Sequence, residues 1–113
     1  MKLAWLLVSF GCALGACSQS TPVSITNRSG KELQSVAISG SGFESTLGSI
    51  APGTTVTTQV RPSGESGLKL SFRSGKHAIS LPAQGYFEGG GNYAVRAVVA
   101  QDLSVSVNAS LRY

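Results

Sequence analysis

The last ten residues or so alternate strictly between apolar and polar side chains, and this pattern constrains the fold most. The apolar positions are Leu103, Val105, Val107, Ala109 and Leu111, and every position between them is polar. Successive side chains of a strand point to opposite faces of a sheet, so a period of two predicts a β-strand with one buried and one solvated face. Thr, Ser, Val and Gly dominate the sequence after residue 20, which favours strands and turns over helices.

A second alternating segment predicts a hairpin with a definite register. A two-residue turn at Ser74-Gly75 places Phe72 opposite His77 and Leu70 opposite Ile79. All the apolar residues then share one face, as a hairpin that covers a core requires.

The final hairpin is predicted in the same way. A three-residue connection, 100–102, pairs Val99 with Leu103 and Ala97 with Val105. Asp102 is expected in the left-handed turn position, which Asp tolerates better than most residues. Because the strand that ends at Val99 is apolar on both faces, we expect it to be central in its sheet.

Turn signals between these runs complete the prediction of the fold. The motif Arg-Ser-Gly-Lys occurs at residues 28–31 and 73–76, and we interpret both copies as hairpin turns. The chain then contains seven or eight short strands, which is typical of a single antiparallel β-sandwich, here residues 22–113. In general outline this resembles immunoglobulin-like sandwiches, without their disulfide and buried Trp.

The N-terminal segment is typical of a cleaved signal peptide. Lys2 precedes an apolar run over residues 3–13, and the small residues Gly15 and Ala16 precede the expected cleavage point. The run is shorter than the roughly 20 residues that a membrane-spanning helix needs. An ordinary secretory signal and a lipoprotein signal are the two alternatives.

The run Leu14-Gly15-Ala16-Cys17 resembles the lipobox of bacterial lipoproteins. This resemblance implies cleavage after residue 16, a diacylglyceryl group on the Cys17 thiol and an acyl chain such as palmitate on the new amine. Residues 17–21 are then a tether. Ser18 resembles the residue that directs such proteins to the outer membrane, here facing the periplasm. Two or three acyl chains make attachment nearly permanent, whereas one chain holds only marginally.

Composition argues against several classes of function. Nine lysines and arginines stand against five acidic residues, and their scattered positions do not resemble a nucleic-acid-binding stripe. Cys12 lies in the signal segment, so no disulfide is expected. A single histidine and dispersed acidic residues predict neither a metal nor a cofactor site.

His77 and Asp102 are the only residues of their types for a hydrolytic triad, and we expect no catalysis. The glycosylation sequons at Asn27 and Asn108 are expected to have no role in a bacterial lipoprotein.

Counting chain reversals from the tether divides the loops between two ends of the sandwich. The loop Pro82–Gly91 falls at the membrane end. Its Tyr86 and Phe87, with Phe43, either seat the domain at the lipid interface or plug the open end of the sandwich. With Glu88, the same loop is a candidate protein-binding surface.

Four cations fall at the opposite end of the predicted sandwich. They form either a basic cluster that attracts an acidic envelope partner or a set of solvated turn residues. These four residues are Arg28, Lys31, Arg73 and Lys76.

The sequence as a whole predicts a lipid-anchored envelope protein that acts by binding, for instance in envelope assembly. The alternative is an inhibitor or immunity-type lipoprotein that blocks an envelope-active hydrolase with a projecting loop.

Overall fold

The computed structural model of the chain describes residues 20–112, and all regular secondary structure in this range is β-strand. One sheet has the spatial order β4 (Thr55–Val60), β1 (Thr21–Asn27), β8 (Tyr93–Val99) and β9 (Val105–Leu111). The other has the order β3 (Phe43–Ile50), β2 (Leu33–Gly40), β5 (Glu65–Ser74) and β6 (His77–Ser80), with β7 (Gln84–Glu88) also paired to β5. The predicted all-β sandwich is confirmed, with nine strands instead of seven or eight. The signal segment 1–16 and Cys17 lie outside the described residues.

Inward-facing side chains of both sheets form one apolar core. Buried positions alternate with less buried ones along β1, and along β5 from Ser66 to Ser74. Burying one Val, Leu, Ile or Phe side chain stabilises a fold by about 1.5–3 kcal/mol, so this alternation supplies the main driving force for folding. The buried apolar residues are Val23, Ile25, Leu33, Val36, Ile38, Ile50, Val60, Leu68, Leu70, Phe72, Phe87, Val95, Ala97 and Val99.

The first sheet is mixed, because β1 pairs with β4 in the antiparallel direction and with β8 in the parallel direction. β8 lies between β1 and β9, which confirms that the strand ending at Val99 is central. All other strand pairs are antiparallel. No helix long and apolar enough to cross a membrane occurs between residues 20 and 112.

The β5–β6 hairpin turns one residue later than the sequence predicts. Phe72 pairs with Ile79 and not with His77, so Gly75 and Lys76 form the turn. Gly75 has φ +59°, which suits the first central residue of a type II′ turn. The predicted pairing is therefore wrong, but the partner strand shifts by two residues, and every apolar side chain keeps its face.

The β8–β9 connection spans five residues, 100–104, where three were predicted. Leu103 has φ +67° and takes the left-handed position that was expected for Asp102. The predicted pairing of Val99 with Leu103 is therefore wrong. Asp102 instead accepts hydrogen bonds at Oδ1 from the Ser104 amide (3.0 Å) and hydroxyl (2.6 Å), which close the turn.

The two copies of Arg-Ser-Gly-Lys share local chemistry but not topology. Gly30 and Gly75 have φ of +83° and +59°, and each follows a buried serine, Ser29 or Ser74. The second copy turns the β5–β6 hairpin. The first copy connects β1 in one sheet to β2 in the other, so the hairpin interpretation is wrong for residues 28–31.

The segment Pro82–Gly91, predicted to be a loop, contains strand β7. Glu88 pairs with Glu65, and the register shifts further along β7, where Gly85 has φ +77°. This is the geometry of a β-bulge, which interrupts the alternation that would identify a strand in the sequence. Both β6 and β7 are antiparallel to β5, so they run in the same direction and the chain does not reverse between them.

The pairing directions divide the connections between two ends of the sandwich. We name the end where β1 begins the tether end, and it carries residues 41–42, 61–64 and 89–92. We name the other the far end, and it carries residues 28–32, 51–54, 75–76 and 100–104. A strand of seven residues spans about 23 Å, which sets the distance between the two ends.

Candidate functional site

At the tether end, the start of β1, the start of β8 and the end of β9 lie at the same level. Tyr93 pairs with Leu111, and Thr21 lies at the same level because Val23 pairs with Val95 two residues further on. Thr21 is buried and is already the first residue of β1, although the sequence assigned it to the tether. The chain from the predicted anchor therefore enters the domain beside Tyr93.

Three apolar side chains meet at this level, and we name Tyr86, Tyr93 and Leu111 the apolar rim. The Tyr86 ring, from the second sheet, lies edge-on to the Tyr93 ring at 6.4 Å between centroids. Tyr86 and Leu111 are each 48% exposed, and they are the exposed large hydrophobic residues in the described part of the chain. The rim therefore joins the two sheets at the tether end and leaves apolar surface open to solvent.

Tyr86 is held by a carboxylate two residues along β7. Its hydroxyl donates a hydrogen bond of 2.8 Å to Glu88 Oε1. This bond is the main reason that the pKa of Tyr86 is raised to about 12, with smaller contributions from desolvation and from the charge of Glu65. The phenol therefore stays neutral and keeps its polar end turned to the carboxylate, while the ring lies against Tyr93.

We expect the tyrosinate absorbance of the folded protein to show one component with a pKa of about 12, and this component to be absent from Tyr86→Phe. A raised pKa means that the fold favours the protonated phenol. This stabilisation is complete below the ordinary pKa of 10.0 and is lost as the pH rises through about 12. Glu88→Gln, which keeps an acceptor but removes the charge, should move the component towards the ordinary value. An unchanged titration in both variants would contradict the assignment.

Phe87 does not belong to this surface. Tyr86 is largely exposed, whereas the next residue along β7, Phe87, is fully buried. The Phe87 ring packs against the half-buried ring of Phe43 at 6.2 Å between centroids. The expectation that Phe87 lies in an exposed loop is therefore wrong, and the phenylalanine pair closes the core as the plug hypothesis stated.

The four cations named from the sequence are all exposed and belong to the far end. Arg28 lines a groove on the first sheet together with Val98 and Asp102. Arg73 lines a groove on the second sheet with Ser35. Lys31 lies in the β1–β2 connection and Lys76 in the β5–β6 turn, so the four cations come from separate segments that all reach the far end.

The charges are distributed unequally between the two ends. The four far-end cations share that end with only two acidic residues, Glu32 and Asp102. At the tether end, the acidic residues Glu44, Glu65 and Glu88 outnumber the basic ones, Arg61 and Arg112. The far end is consequently the positive end of the domain.

Asn27 is an important residue that the sequence did not identify. Its amide nitrogen donates to the carbonyl oxygens of Lys31 (2.7 Å) and Ile50 (3.0 Å). Its Oδ1 accepts from the amide (2.9 Å) and hydroxyl (2.6 Å) of Ser29. Its backbone also bonds with residues 53 and 54. This fully buried side chain joins the β1–β2 and β3–β4 connections at the far end, so the first sequon is structural and is closed to glycosylation in the folded domain.

The residues considered for a hydrolytic triad belong to elements of different sheets. His77 is exposed on β6 in the second sheet, whereas Asp102 belongs to the β8–β9 connection of the first. Hydrogen bonds from the Ser104 hydroxyl, and then from its amide, lower the pKa of Asp102, which therefore stays ionised to hold its turn. Across residues 20–112, no group of three or more His, Cys, Asp or Glu side chains is placed to hold a metal ion.

The structure does bring two carboxylates together that the sequence left apart. Glu65 and Glu88 are directly opposite each other in the β5–β7 pair. Like charges in this position repel across strands. The hydroxyl of Tyr86 donates to one of them and so offsets part of that repulsion.

Comparison with protein-family models, with curated proteins and with solved structures finds no match for this chain.

Proposed function

We propose that the protein is a lipid-anchored binding protein of the cell envelope, held in the outer membrane by acyl chains on Cys17 and acting without catalysis. The observation that carries this proposal is the polarity of the domain. The chain enters at one end, and the four cations Arg28, Lys31, Arg73 and Lys76 lie at the other.

A short tether fixes how such a domain is presented. Cys17 and Thr21 are four residues apart, and four extended residues span about 14 Å at most. The tether end then stays close to the bilayer. The far end projects into the periplasm by about the length of one strand, roughly 23 Å.

The positive far end favours an acidic partner in the envelope. Exposed charges of one sign raise the rate of encounter with a surface of opposite sign and disfavour wrong partners. Arg28 and Arg73 line grooves on different sheets, so the partner would contact the whole end of the sandwich and not one pocket. This arrangement suits a component of a protein assembly.

The alternative of a hydrolase inhibitor has less support. That hypothesis needs a projecting loop, and the predicted loop Pro82–Gly91 instead contains β7, whose Phe87 is buried in the core. Tyr86 and Glu88 remain exposed there, but at the tether end. We therefore favour the assembly component.

The proposal is tested by reversing charge at one end only. We expect the quadruple change of the far-end cations to Glu to lower recovery of the partner by at least about tenfold after crosslinking in cells, because attraction becomes repulsion. The chain offers a control with the same change in net charge: Arg61, Lys69, Arg96 and Arg112, all changed to Glu. That variant should retain the partner.

Two results would contradict the proposal. Equal loss of the partner in both quadruple variants would show that only net charge matters. An unmodified Cys17 thiol, found by mass analysis of the mature N-terminus, would remove the anchor. Stoichiometric inhibition of an isolated hydrolase would support the alternative instead.

A further inference from the structure

We infer that the apolar rim of Tyr86, Tyr93 and Leu111 rests on the lipid surface and holds the domain upright on its tether. This inference rests on the proposed lipid anchor. It concerns the orientation of the domain, which the anchor alone does not determine.

The position of the rim relative to the tether is the first argument. Tyr93 and Leu111 lie at the level of Thr21, where the chain from Cys17 enters. Three residues separate Cys17 from Thr21, so the acyl chains cannot be more than about 14 Å from this level. A bilayer holding those chains is therefore within reach of the rim.

The chemistry of the rim is the second argument. The exposed large hydrophobic residues of the described chain, Tyr86 and Leu111, lie at this end and flank Tyr93. Tyrosine favours the membrane interface because its ring is apolar and its hydroxyl is polar. Tyr86 has this arrangement, since its ring lies against Tyr93 and its hydroxyl donates to Glu88.

The backbone beneath the rim is firmly held, which is the third argument. The amide of Arg112 donates to the carbonyl of Asn92, and the Asn92 side chain donates back to the Arg112 carbonyl, each at 2.6 Å. These bonds hold the end of β9 against the start of β8, so Leu111 is presented at a fixed position. Arg112 beside it supplies a cation of the kind that accompanies interfacial aromatic residues.

Quenching of tyrosine fluorescence by brominated lipids tests this inference. The only Trp, Trp5, lies in the signal segment, so the mature chain emits through tyrosine. We use the lipid-modified protein in phosphatidylcholine vesicles with bromine close to the carbonyl end of the acyl chains, in a Tyr113→Phe background. Emission then comes from Tyr86 and Tyr93, and we expect strong quenching, because interfacial tyrosines lie at the depth of these bromines.

The matched control moves the reporter to the far end. It combines Tyr86→Phe, Tyr93→Phe and Tyr113→Phe with Gln101→Tyr, which is exposed in the β8–β9 connection. We expect quenching of the rim reporters to exceed that of the control by at least about threefold, since the far end lies roughly 23 Å away. Leu111→Ser should reduce quenching at the rim and leave the control unchanged.

Two outcomes overturn the inference. Equal quenching of both reporters would mean that the domain tumbles on its tether. Absence of quenching would mean that the rim avoids lipid, and a crosslinked dimer through Leu111→Cys would then identify a second copy as its occupant. If cells leave Cys17 unmodified, the proposed anchor fails by itself, and coupling that thiol to a maleimide lipid still tests the rim.

Discussion

Replacing Asn27 by Ala is expected to lower the free energy of unfolding by about 3 kcal/mol. The side chain is fully buried, and its two donors and its acceptor oxygen are all used. Alanine leaves the Ile50 carbonyl and the Ser29 amide without these partners. An unsatisfied buried polar group costs about 1–3 kcal/mol, and two groups are affected. Urea unfolding followed by circular dichroism measures the change.

Asn27→Asp tests the effect of the lost hydrogen-bond donors without changing the shape of the side chain. A carboxylate has the same size but no donor, and it would face the carbonyl oxygens of Lys31 and Ile50. Burial and these oxygens raise the pKa of the introduced carboxyl above its unfolded value. The folded variant then binds more protons than the unfolded chain, so its stability falls as the pH rises above about 4. The defect should therefore be smaller in acid than at neutral pH.

The control is the asparagine of the other sequon. Asn108 is exposed on β9, and Asn108→Ala should change stability by less than about 0.5 kcal/mol. If Asn27→Ala were as stable as Asn108→Ala, the far end would not depend on the buried amide. Two sequons that look alike in the sequence are thus expected to differ widely in energy.

The sequence predicts which face of the sheet each strand residue occupies, because successive side chains along a strand alternate between the two faces. In both hairpins the predicted register is wrong by two residues of the partner strand, and in both the apolar residues still face the core. The position of the turn depends on the backbone conformation of single residues. Gly75 begins its turn, and Leu103 adopts a φ of +67° that its sequence does not suggest.

The arrangement of the strands is less predictable because it depends on contacts between distant segments. Nothing local shows that β1 pairs with β8 in parallel, or that residues 28–31 connect two sheets. Strand β7 escaped prediction because the bulge at Gly85 disturbs its alternation. The register of β7 is defined only by its pairing with β5 in the folded structure.

For the candidate surfaces, too, part of the prediction agrees with the structure and part does not. Counting reversals placed Arg28, Lys31, Arg73 and Lys76 at one end, and the structure places them there, although their binding remains a prediction. The sequence grouped Tyr86 with Phe87 because both lie in the predicted loop Pro82–Gly91, whereas the structure leaves Tyr86 exposed and buries Phe87. Tyr93 and Leu111 belong to the rim because they pair across β8 and β9. The sequence predicted such cross-strand pairs only for core residues.

The second large effect is expected at Phe87. Phe87→Ala should lower the free energy of unfolding by about 4 kcal/mol, because it removes a fully buried ring and leaves a cavity beside Phe43. Domains of this size are stable by about 5–15 kcal/mol, so this loss is a large share of the total. Urea unfolding at neutral pH measures it.

The neighbouring residue supplies the control. Tyr86→Ala removes a ring of similar size from the adjacent position of the same strand, but this ring is 48% exposed. Its expected cost is about 1 kcal/mol, and Phe87→Leu, which refills most of the cavity, should cost about 1.5 kcal/mol. The leucine variant keeps the comparison measurable if Phe87→Ala does not fold. Equal costs for Phe87→Ala and Tyr86→Ala would contradict the burial of Phe87 on β7 and would favour the loop that the sequence predicted for Pro82–Gly91.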